Sequence, residues 1–369
     1  MRELSDNGQS LVPAAKAATK TLSFFEFWPG WLFYTPMRLY CFWLALRFRG
    51  LTLPANANPL FDAGGLVGES KSQILRQAPS ELAPLFAAHV LTARTELDVA
   101  SDVASAKQQM AMADLAYPLV AKPDIGCRGM GVQIVTNDAE LERYLQQFPA
   151  SHNVMLQRLH DYPHEAGLFY IRHPDWARGI IFSLTIKQFA YVTGDGRASL
   201  RQLIENDSRA GKIAHLYLPR HRANWDWVVP AGEKFRIAFA GSHSRGTIFK
   251  DGAHLITPAM VENWDRLCRQ IPEFYFGRFD VRYHNLADLE NATNIKIVEI
   301  NGAGAEATHI WDADCSLWAA YKTLCKQYWH AFAIGAKNRA RGFTPLRILE
   351  LRRYYKLHRK LANLYPHTH

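Results

Sequence analysis

The chain has 369 residues, 48% of them hydrophobic and 21% charged, which is the composition of a globular protein with room for two or three compact units. Its formal net charge of +9 lies at the two ends, because residues 337–360 hold nine Lys or Arg against one acidic residue and residues 1–50 hold six against three. This distribution argues against a nucleic-acid partner and favours a cytoplasmic protein that meets an anionic membrane surface. Five scattered cysteines without a Cys-x-x-Cys pair argue against a structural zinc site and indicate a reducing compartment.

The first 50 residues combine a polar start with an aromatic segment. Residues 1–20 lack the apolar core of a secretory signal and are predicted to be disordered. Residues 22–51 are dense in Trp, Phe, Tyr and Arg, a composition typical of a membrane interface, but their apolar runs are too short for a transmembrane helix of about 20 residues. We predict peripheral attachment to the inner face of a membrane. The alternatives are that the segment covers an apolar groove of its own protein or forms a dimer contact.

Residues 51–116 form a short region that is predicted to be helical. Two helices are expected, over residues 81–91 and 100–112, whose small and apolar faces would pack in the core. Upstream, Gly-Glu-Ser-Lys at 68–71 would begin a helix over 73–77. This turn is interpreted either as an ordinary capped helix end or as a place that holds a substrate carboxylate or amine.

A short apolar strand over residues 117–123 leads into a glycine-rich loop. Gly126, Gly129 and Gly131 permit a tight hairpin whose backbone N–H groups can approach a phosphate closely. The loop is not a P-loop, which needs Gly-Lys-Ser/Thr at the start of a helix. Lys122 at the strand end is the candidate for an α- or β-phosphate, since lysine is a mobile point charge with three donors.

Two further predicted strands carry convergent oxygen atoms. In the first, apolar residues alternate with Arg278, Asp280 and Arg282, and in the second Glu299 and Asn301 point the same way. If these strands are neighbours, two carboxylates and one amide oxygen meet at one point, a ligand set that suits Mg²⁺ beside nucleotide phosphates. The alternative is a polar strand face with an ordinary ion pair. Backbone N–H groups after the second strand are candidates to hold a substrate carboxylate or an oxyanion.

Together these stretches resemble the ATP-grasp superfamily, of the carboxylate-amine ligase type that includes cyanophycin synthetase, D-alanine:D-alanine ligase and glutathione synthetase. The match is to the order of parts, which are a strand ending in Lys122, a glycine-rich loop, a hinge segment at 155–159 and the two polar strands. Residues 192–204 are similar to a segment of cyanophycin synthetases and related amino-acid ligases. The resemblance covers about residues 115–310.

The fold that the resemblance implies is α+β, with two α/β subdomains that clasp ATP. The predicted divisions are 1–50 for the start and the aromatic segment, 51–116 for the helical region, 117–190 for the small subdomain, 191–335 for the large subdomain and 336–369 for a basic amphipathic tail. Such a tail suits an anionic membrane. Many relatives carry an α/β domain of about 100 residues ahead of the nucleotide domain, and residues 51–116 are too short for one. The sequence therefore does not assign the residues that form the wall of the substrate pocket.

The resemblance also implies a role for each candidate residue. By role, the candidates are Lys122, Lys187 and the loop glycines Gly126, Gly129 and Gly131 for the phosphates of ATP; the backbone groups of Gln157, Arg158 and Leu159 for adenine; Glu165 for ribose; Asp280, Glu299 and Asn301 for Mg²⁺ (or Mn²⁺); and Arg278 and Arg245 for catalysis.

The implied reaction is ATP-dependent ligation of a carboxylate to an amine through an acyl-phosphate, on an amino-acid or lipid-linked substrate. One alternative is an ATP-grasp kinase that phosphorylates a hydroxyl group, and the other is a membrane-associated scaffold without catalysis. The sequence leaves the two substrates and the oligomeric state open, with a dimer among the possibilities.

Overall fold

The structure is a computed structural model that describes residues 20–96, 98–126, 129–238, 241 and 246–366. Helices and strands are mixed along the chain, in agreement with the predicted α+β class. The strands are β1 (His89–Arg94), β2 (Leu119–Pro123), β3 (Gln133–Val135), β4 (His152–Arg158), β5 (His164–Ile171), β6 (Ile180–Gln188), β7 (Tyr191–Thr193), β8 (Lys234–Arg236), β9 (Ile248–Asp251), β10 (Phe276–Tyr283) and β11 (Lys296–Asn301). The α-helices are α1 (Gly30–Arg47), α2 (Lys71–Arg76), α3 (Val99–Met112), α4 (Asp138–Gln147), α5 (Leu200–Asn206), α6 (Ala214–Tyr217), α7 (Pro258–Cys268), α8 (Leu286–Asn291), α9 (Leu317–Ala340) and α10 (Ile348–Ala362).

The first sheet has four antiparallel strands in the order β1-β4-β2-β3. Its core forms where helices α3 and α4 supply buried residues such as Met110, Leu141 and Tyr144 to the cluster that contains Leu119 of β2. Helix α4 begins at Asn137, whose side-chain oxygen accepts a hydrogen bond from the Glu140 N–H at 3.0 Å and so satisfies one of the unpaired amides of the first turn.

The second sheet has five antiparallel strands in the order β11-β10-β5-β6-β9. Phe279 and Val281 of β10 are buried in a core cluster with Trp264 of α7 and Leu289 of α8. Because side chains alternate along a strand, the polar residues between and beside them lie on the opposite face of the sheet. The predicted division of β10 into an apolar and a polar face is therefore observed.

The helix predicted over residues 81–91 is wrong. Residues 80–85 form a 3₁₀ turn that contains Pro84, and the chain then continues as β1, in which His89 pairs with Gln157 of β4. Proline disfavours a longer helix, and β-branched residues such as Val90 and Thr92 fit a pleated strand better. The first sheet therefore includes residues on the N-terminal side of the boundary predicted at residue 116.

Helix α1, in the predicted aromatic segment, packs on helix α9 through one of its faces. Phe33 and Met37 are buried against Leu324, and Leu44 is buried against Phe332. This contact corresponds to the alternative in which the segment covers an apolar groove of its own protein, while the opposite face of α1 is exposed. In the described residues, no helix has the combination of length and apolar character that a membrane crossing requires.

Helix α10 is the predicted amphipathic tail, but its apolar face packs inward. Leu361 and Tyr365 join the core cluster of the first sheet, and the Tyr365 hydroxyl donates a hydrogen bond to the carbonyl of Ile125 at 2.5 Å. Tyr354 lies over Gly68, where an added Cβ would be 3.4 Å from the tyrosine ring. The exposed side of α10 carries basic residues such as Arg352 and Arg359 together with the apolar residues Leu349 and Leu357.

Candidate active site

A cavity of about 810 Å³ lies between the two sheets and collects most of the predicted site residues. The four-stranded sheet contributes Lys122 and Gln157 to its wall, and the five-stranded sheet contributes Asp280 and Glu299. Helices α1 and α10 close parts of the same cavity. The predicted residues that line it are Lys122, Gly126, Gly129, Gln157, Arg158, Leu159, Glu165, Lys187, Arg278, Asp280, Glu299 and Asn301.

Strands β10 and β11 are antiparallel neighbours, and the predicted convergence of oxygen ligands depends on this arrangement. Asp280 pairs with Glu299 and Arg278 pairs with Asn301 in the register of the two strands. Side chains of directly paired residues lie on the same face, so the two carboxylates and the amide share the face that lines the cavity. The Asn301 amide donates a hydrogen bond to the Asp280 carboxylate at 3.4 Å.

Asp280 is a buried carboxylate held between two cations. Its oxygen atoms accept hydrogen bonds from Arg278 Nε at 3.0 Å and Arg278 Nη2 at 3.1 Å, and Lys187 Nζ lies at 2.9 Å. Burial opposes ionisation, but the adjacent Arg278 and Lys187 outweigh it and lower the pKa of Asp280 to about 2. The carboxylate is therefore ionised at neutral pH despite its burial.

Lys187 joins this pair to a second buried carboxylate. Its ammonium donates to Glu165 Oε1 at 2.8 Å, and Arg282 Nε lies 2.9 Å from Glu165 Oε2. Burial opposes ionisation of Glu165, but Lys187 and Arg282 outweigh it, so the pKa of this carboxyl is lowered. Both oxygens of Glu165 thus face cations, and Lys187 contacts two carboxylates. The predicted roles of Glu165 toward ribose and Lys187 toward phosphate stay predictions.

Lys122 connects the two sheets at the cavity. Its ammonium donates to Gln157 Oε1 at 2.8 Å and to the carbonyl of Val298 in β11 at 3.3 Å, while Gln157 Nε2 donates to the same carbonyl at 3.1 Å. Burial lowers the pKa of Lys122 to about 8, against the opposing attraction of Glu299. The side-chain amide of Gln157 therefore positions the lysine, and the predicted contact of its backbone groups with adenine stays a prediction.

The glycine-rich loop connects β2 to β3, as predicted. Gly129 and Gly131 have φ angles of 70° and 67°, a region that favours glycine, and a Cβ on Gly131 would be 2.8 Å from the ring of Pro123. The loop is anchored by Tyr144, whose hydroxyl donates to the Gly131 carbonyl at 2.7 Å, and by Lys71, whose ammonium donates to the Gly126 carbonyl at 2.7 Å.

The side chain of Arg158 is not drawn into the charged centre. The guanidinium of Arg158 lies 3.7 Å from the exposed carboxylate of Asp114, so this side chain points away from the metal candidates. Arg245, the second catalytic candidate, lies outside the described residues.

The loop after β11 departs from its predicted use. The N–H groups of Ala303 and Gly304 donate to the carbonyls of Gly64 and Gly65 at 3.0 and 2.6 Å, and the Ala305 N–H donates to the Gly302 carbonyl at 2.9 Å. These three amides are engaged within the protein, so they do not hold a substrate carboxylate or an oxyanion, and for the N–H groups of Gly302 and Glu306 that role stays a prediction.

Sequence reasoning missed Glu306 as a cavity residue and named Lys71 only as part of the turn at 68–71. Lys71 lies 3.6 Å from Glu299 Oε1, and the helix that was predicted to begin at 68–71 is capped by Ser70, whose side chain accepts from the Gln73 N–H at 3.1 Å. Glu306 faces the cavity and accepts a hydrogen bond from Tyr34 in α1. In the sequence, Lys71 and Glu306 are single charged residues near glycines. Only the contact of Gly65 with Gly302 in the fold brings both charges to one cavity.

The donor set at Asp280, Glu299 and Asn301 fits a divalent cation such as Mg²⁺. It offers hard oxygen donors on one face of the sheet beside the cavity. A rotation of the Asn301 amide about its Cβ–Cγ bond would exchange its nitrogen and oxygen and present the oxygen to the same place. Across the described part of the chain, no group of three or more His, Cys, Asp or Glu side chains could hold one metal ion. The fit depends on the combination of two carboxylates with an amide.

Comparisons with solved structures return ligases. A bifunctional glutathione synthetase from Pasteurella multocida is 16% identical over 70% of this chain and 36% of its own length, with a TM-score of 0.33. VanG D-Ala:D-Ser ligase from Enterococcus faecalis is 14% identical over 73% of this chain and 64% of its own, with a TM-score of 0.40. D-alanine–D-alanine ligase from Bacillus anthracis is 10% identical over 76% of this chain and 72% of its own, with a TM-score of 0.41.

These neighbours include kinds of protein that the sequence resemblance named. This chain spans about a third, 36%, of the length of the glutathione synthetase. No family model and no curated protein matches the chain.

Proposed function

We propose that the chain is an ATP- and Mg²⁺-dependent carboxylate-amine ligase with an ATP-grasp nucleotide site. The observation that carries the proposal is the convergence of Asp280, Glu299 and Asn301 with the cations Lys122 and Arg278 in one cavity between two sheets. Oxygen donors for a divalent cation next to cations for phosphate oxygens are what phosphoryl transfer from ATP needs, because catalysis there is mostly positioning and charge stabilisation.

In this proposal, the nucleotide lies between the sheets with its phosphates toward β10 and β11. Lys122 and Lys71 are the better placed phosphate cations, because Lys187 already contacts two carboxylates. Asp280, Glu299 and Asn301 would hold Mg²⁺, which supplies neutralisation of phosphate charge when it is bound. Arg278 is the catalytic residue that faces the transferring phosphoryl group.

The reaction consists of two substitutions. A substrate carboxylate oxygen attacks the γ-phosphorus of ATP, the P–O bond to the β-phosphate breaks, and ADP leaves with the bond electrons. A neutral amine then attacks the acyl carbon, the C–O bond to phosphate breaks, inorganic phosphate leaves, and one amine proton passes to water. Buried cations lower the barrier of the first step by stabilising charge that develops on the phosphoryl oxygens.

An isotope experiment tests this sequence of steps. The enzyme is incubated with Mg²⁺, ATP and pools of amino acids and fatty acids whose carboxylates carry ¹⁸O, and the released phosphate is weighed by mass spectrometry. A ligase of this type transfers one ¹⁸O atom from the carboxylate to inorganic phosphate. Phosphate without ¹⁸O would contradict the acyl-phosphate, and a product heavier by one phosphoryl group would identify a kinase.

The proposal includes peripheral docking on an anionic membrane through the outer face of α1. This face exposes Leu39, Phe42 and Leu46 by 70%, 61% and 64%, next to the exposed Arg38 and Arg47. A helix that is apolar on both faces normally has both faces covered, and helix α9 covers only one. Apolar side chains beside arginines match the chemistry of an anionic lipid interface.

Exchanging two exposed apolar residues is expected to weaken membrane binding. We expect the double variant Leu39→Ser, Phe42→Ser to lower the fraction that co-sediments with phosphatidylglycerol vesicles by about tenfold or more, since each side chain contributes roughly 1.5–3 kcal/mol on burial. Met112→Ser, at a residue exposed by 82% on α3, is the matched control. Unchanged sedimentation of the double variant would refute the docking face, and a change from dimer to monomer in sedimentation velocity would assign it to a dimer contact instead.

A further inference from the structure

Among the described carboxylates of the cavity, Glu306 is distinguished by side-chain contacts that come from aromatic donors. Tyr34 OH donates to its Oε1 at 2.8 Å, and Trp311 Nε1 donates to its Oε2 at 2.8 Å. In the part of the chain that the structure describes, no Lys, Arg or His side chain forms an ion pair with it, and Arg278 reaches only its backbone carbonyl, at 3.1 Å. One donor on each oxygen leaves acceptor capacity on both, because a carboxylate has about four lone-pair sites.

The backbone and side chain of Glu306 are fixed from three sides. Gln327 of α9 donates to the Ala305 carbonyl at 2.8 Å and accepts from the Ala307 N–H at 2.9 Å, so the loop is clamped on both sides of the glutamate. Tyr34 and Trp311 then hold the two carboxylate oxygens in one orientation. A carboxylate held in this way is preorganised, so binding to it costs little side-chain entropy.

The cavity around Glu306 is aromatic. The ring centroid of Phe33 lies 4.8 Å from that of Trp311 and 4.9 Å from that of Tyr34. The aromatic residues on the cavity wall include Phe27, Trp28, Tyr34, Trp311, Tyr328 and Tyr355. Aromatic faces attract cations, and a carboxylate among aromatic rings is the chemistry that recognises an ammonium group on an apolar body.

We infer that Glu306, with Tyr34 and Trp311, is the subsite that binds the ammonium form of the acceptor amine, and that helix α1 completes the substrate pocket. That the bound amine is the acceptor substrate rests on the proposed function, whereas the ammonium-binding site itself does not. Helix α1 supplies Tyr34 to the cavity wall and so provides a part of the substrate pocket that the short region at 51–116 leaves unassigned. The substrate class that it specifies is a primary amine attached to an apolar or aromatic body.

Calorimetry with two probes tests the subsite without any turnover. Phenethylammonium chloride carries the ammonium, and N-(2-phenylethyl)acetamide carries the same ring without the charge. Because a hydrogen bond to a charged group is worth about 1.5–3 kcal/mol, we expect the wild type to prefer the ammonium by about 10–100-fold and Glu306→Gln to lose that preference. Glu306→Asp, which keeps the charge, should retain part of it.

Several results would overturn the inference. Equal affinity of the wild type for the two probes would do so, as would an intact ammonium preference in Glu306→Gln or no binding of the ammonium by the wild type. Glu262→Gln, at an exposed helix position, is the matched control and should keep the wild-type preference. Thermal unfolding of each variant shows whether it is folded, and Tyr34→Phe, which removes one donor, offers a second variant that is expected to weaken ammonium binding.

A second experiment separates the subsite from the proposed reaction. Hydroxylamine, which is uncharged at neutral pH, traps an acyl-phosphate as a hydroxamate and needs no ammonium subsite. With the carboxylate pool, ATP and Mg²⁺, Glu306→Gln should lose at least tenfold more of its rate of condensation with phenethylamine or amino acids than of its rate of hydroxamate formation. Hydroxamate without any loss of condensation would refute the subsite, whereas no hydroxamate from the wild type would refute the proposed function and leave the calorimetric test to decide the subsite.

Discussion

Replacing Asp280 by Asn is expected to lower turnover by about 10²–10³-fold and to lower the free energy of unfolding by about 3 kcal/mol. The carboxylate is the centre of a buried charge network, with Arg278 at 3.0 Å and Lys187 at 2.9 Å. Asparagine keeps the volume but leaves two buried cations short of one negative charge. It also removes a charged oxygen from the proposed Mg²⁺ ligands. Steady-state kinetics and urea unfolding of the same preparation measure the two effects.

Asp265→Asn is the matched control for stability. Asp265 is also buried, and its Oδ1 accepts hydrogen bonds from Tyr170 OH at 2.5 Å and the Gly179 N–H at 2.8 Å. It belongs to helix α7 and does not line the cavity. This variant should lose about 1–3 kcal/mol of stability with unchanged turnover per folded molecule. Equal kinetic losses in the two variants would contradict a specific role for Asp280.

Replacing Lys122 by Met is expected to weaken ATP binding by about 100-fold, since a hydrogen-bonded charge pair with a phosphate is worth about 1.5–3 kcal/mol. Burial lowers the pKa of Lys122 to about 8, so the side chain loses its proton as the pH rises through that value. In the wild type, the affinity for ATP should therefore fall between pH 7 and pH 9. The phosphates favour the charged lysine, so binding near pH 8 should take up a proton.

Isothermal titration calorimetry in buffers with different ionisation enthalpies measures both the affinity and the proton uptake. The dissociation constant of Lys122→Met should be nearly independent of pH over this interval. Lys107→Met is the matched control, because Lys107 forms an exposed ion pair with Asp138 on the outside of the first sheet's helices and should bind ATP like the wild type. Wild-type affinity in Lys122→Met would contradict the assignment of this lysine to phosphate.

The polar strands at the centre of the site were predictable because their pattern is local. The alternation in β10 separates Phe279 and Val281 from Asp280, whereas the pairing of β10 with β11 was only a condition of the predicted cluster, because helix α8 lies in the connection between the two strands. The hairpin of the glycine-rich loop was predictable for the same reason, since Gly129 and Gly131 adopt φ angles that favour glycine. In both places, a few neighbouring residues determine the conformation.

The remaining features depend on contacts between distant parts of the chain. The sequence of β1 was predicted to be part of a helix, but these residues form a strand because β4 supplies their hydrogen-bond partners. The apolar face of α10 resembles a membrane-binding helix, but residues such as Tyr354 and Leu361 find partners within the protein. Glu306 acquires a role only when α1 brings Tyr34 to it across 272 positions of sequence. No local pattern contains this information.

Mg²⁺-dependent ATP turnover by the wild type and by Glu299→Gln tests the central claim most directly. The Glu299 side chain is 27% exposed and its cation partner Lys71 is 3.6 Å away, so the substitution should disturb stability little. Inorganic phosphate and condensation products are followed together in the presence of amino acids and lipid extracts. We predict turnover in the wild type that requires Mg²⁺ and yields one condensation product per phosphate, with at least a 100-fold loss in Glu299→Gln. Turnover that needs no divalent cation, or that is equal in the two proteins, would contradict the account.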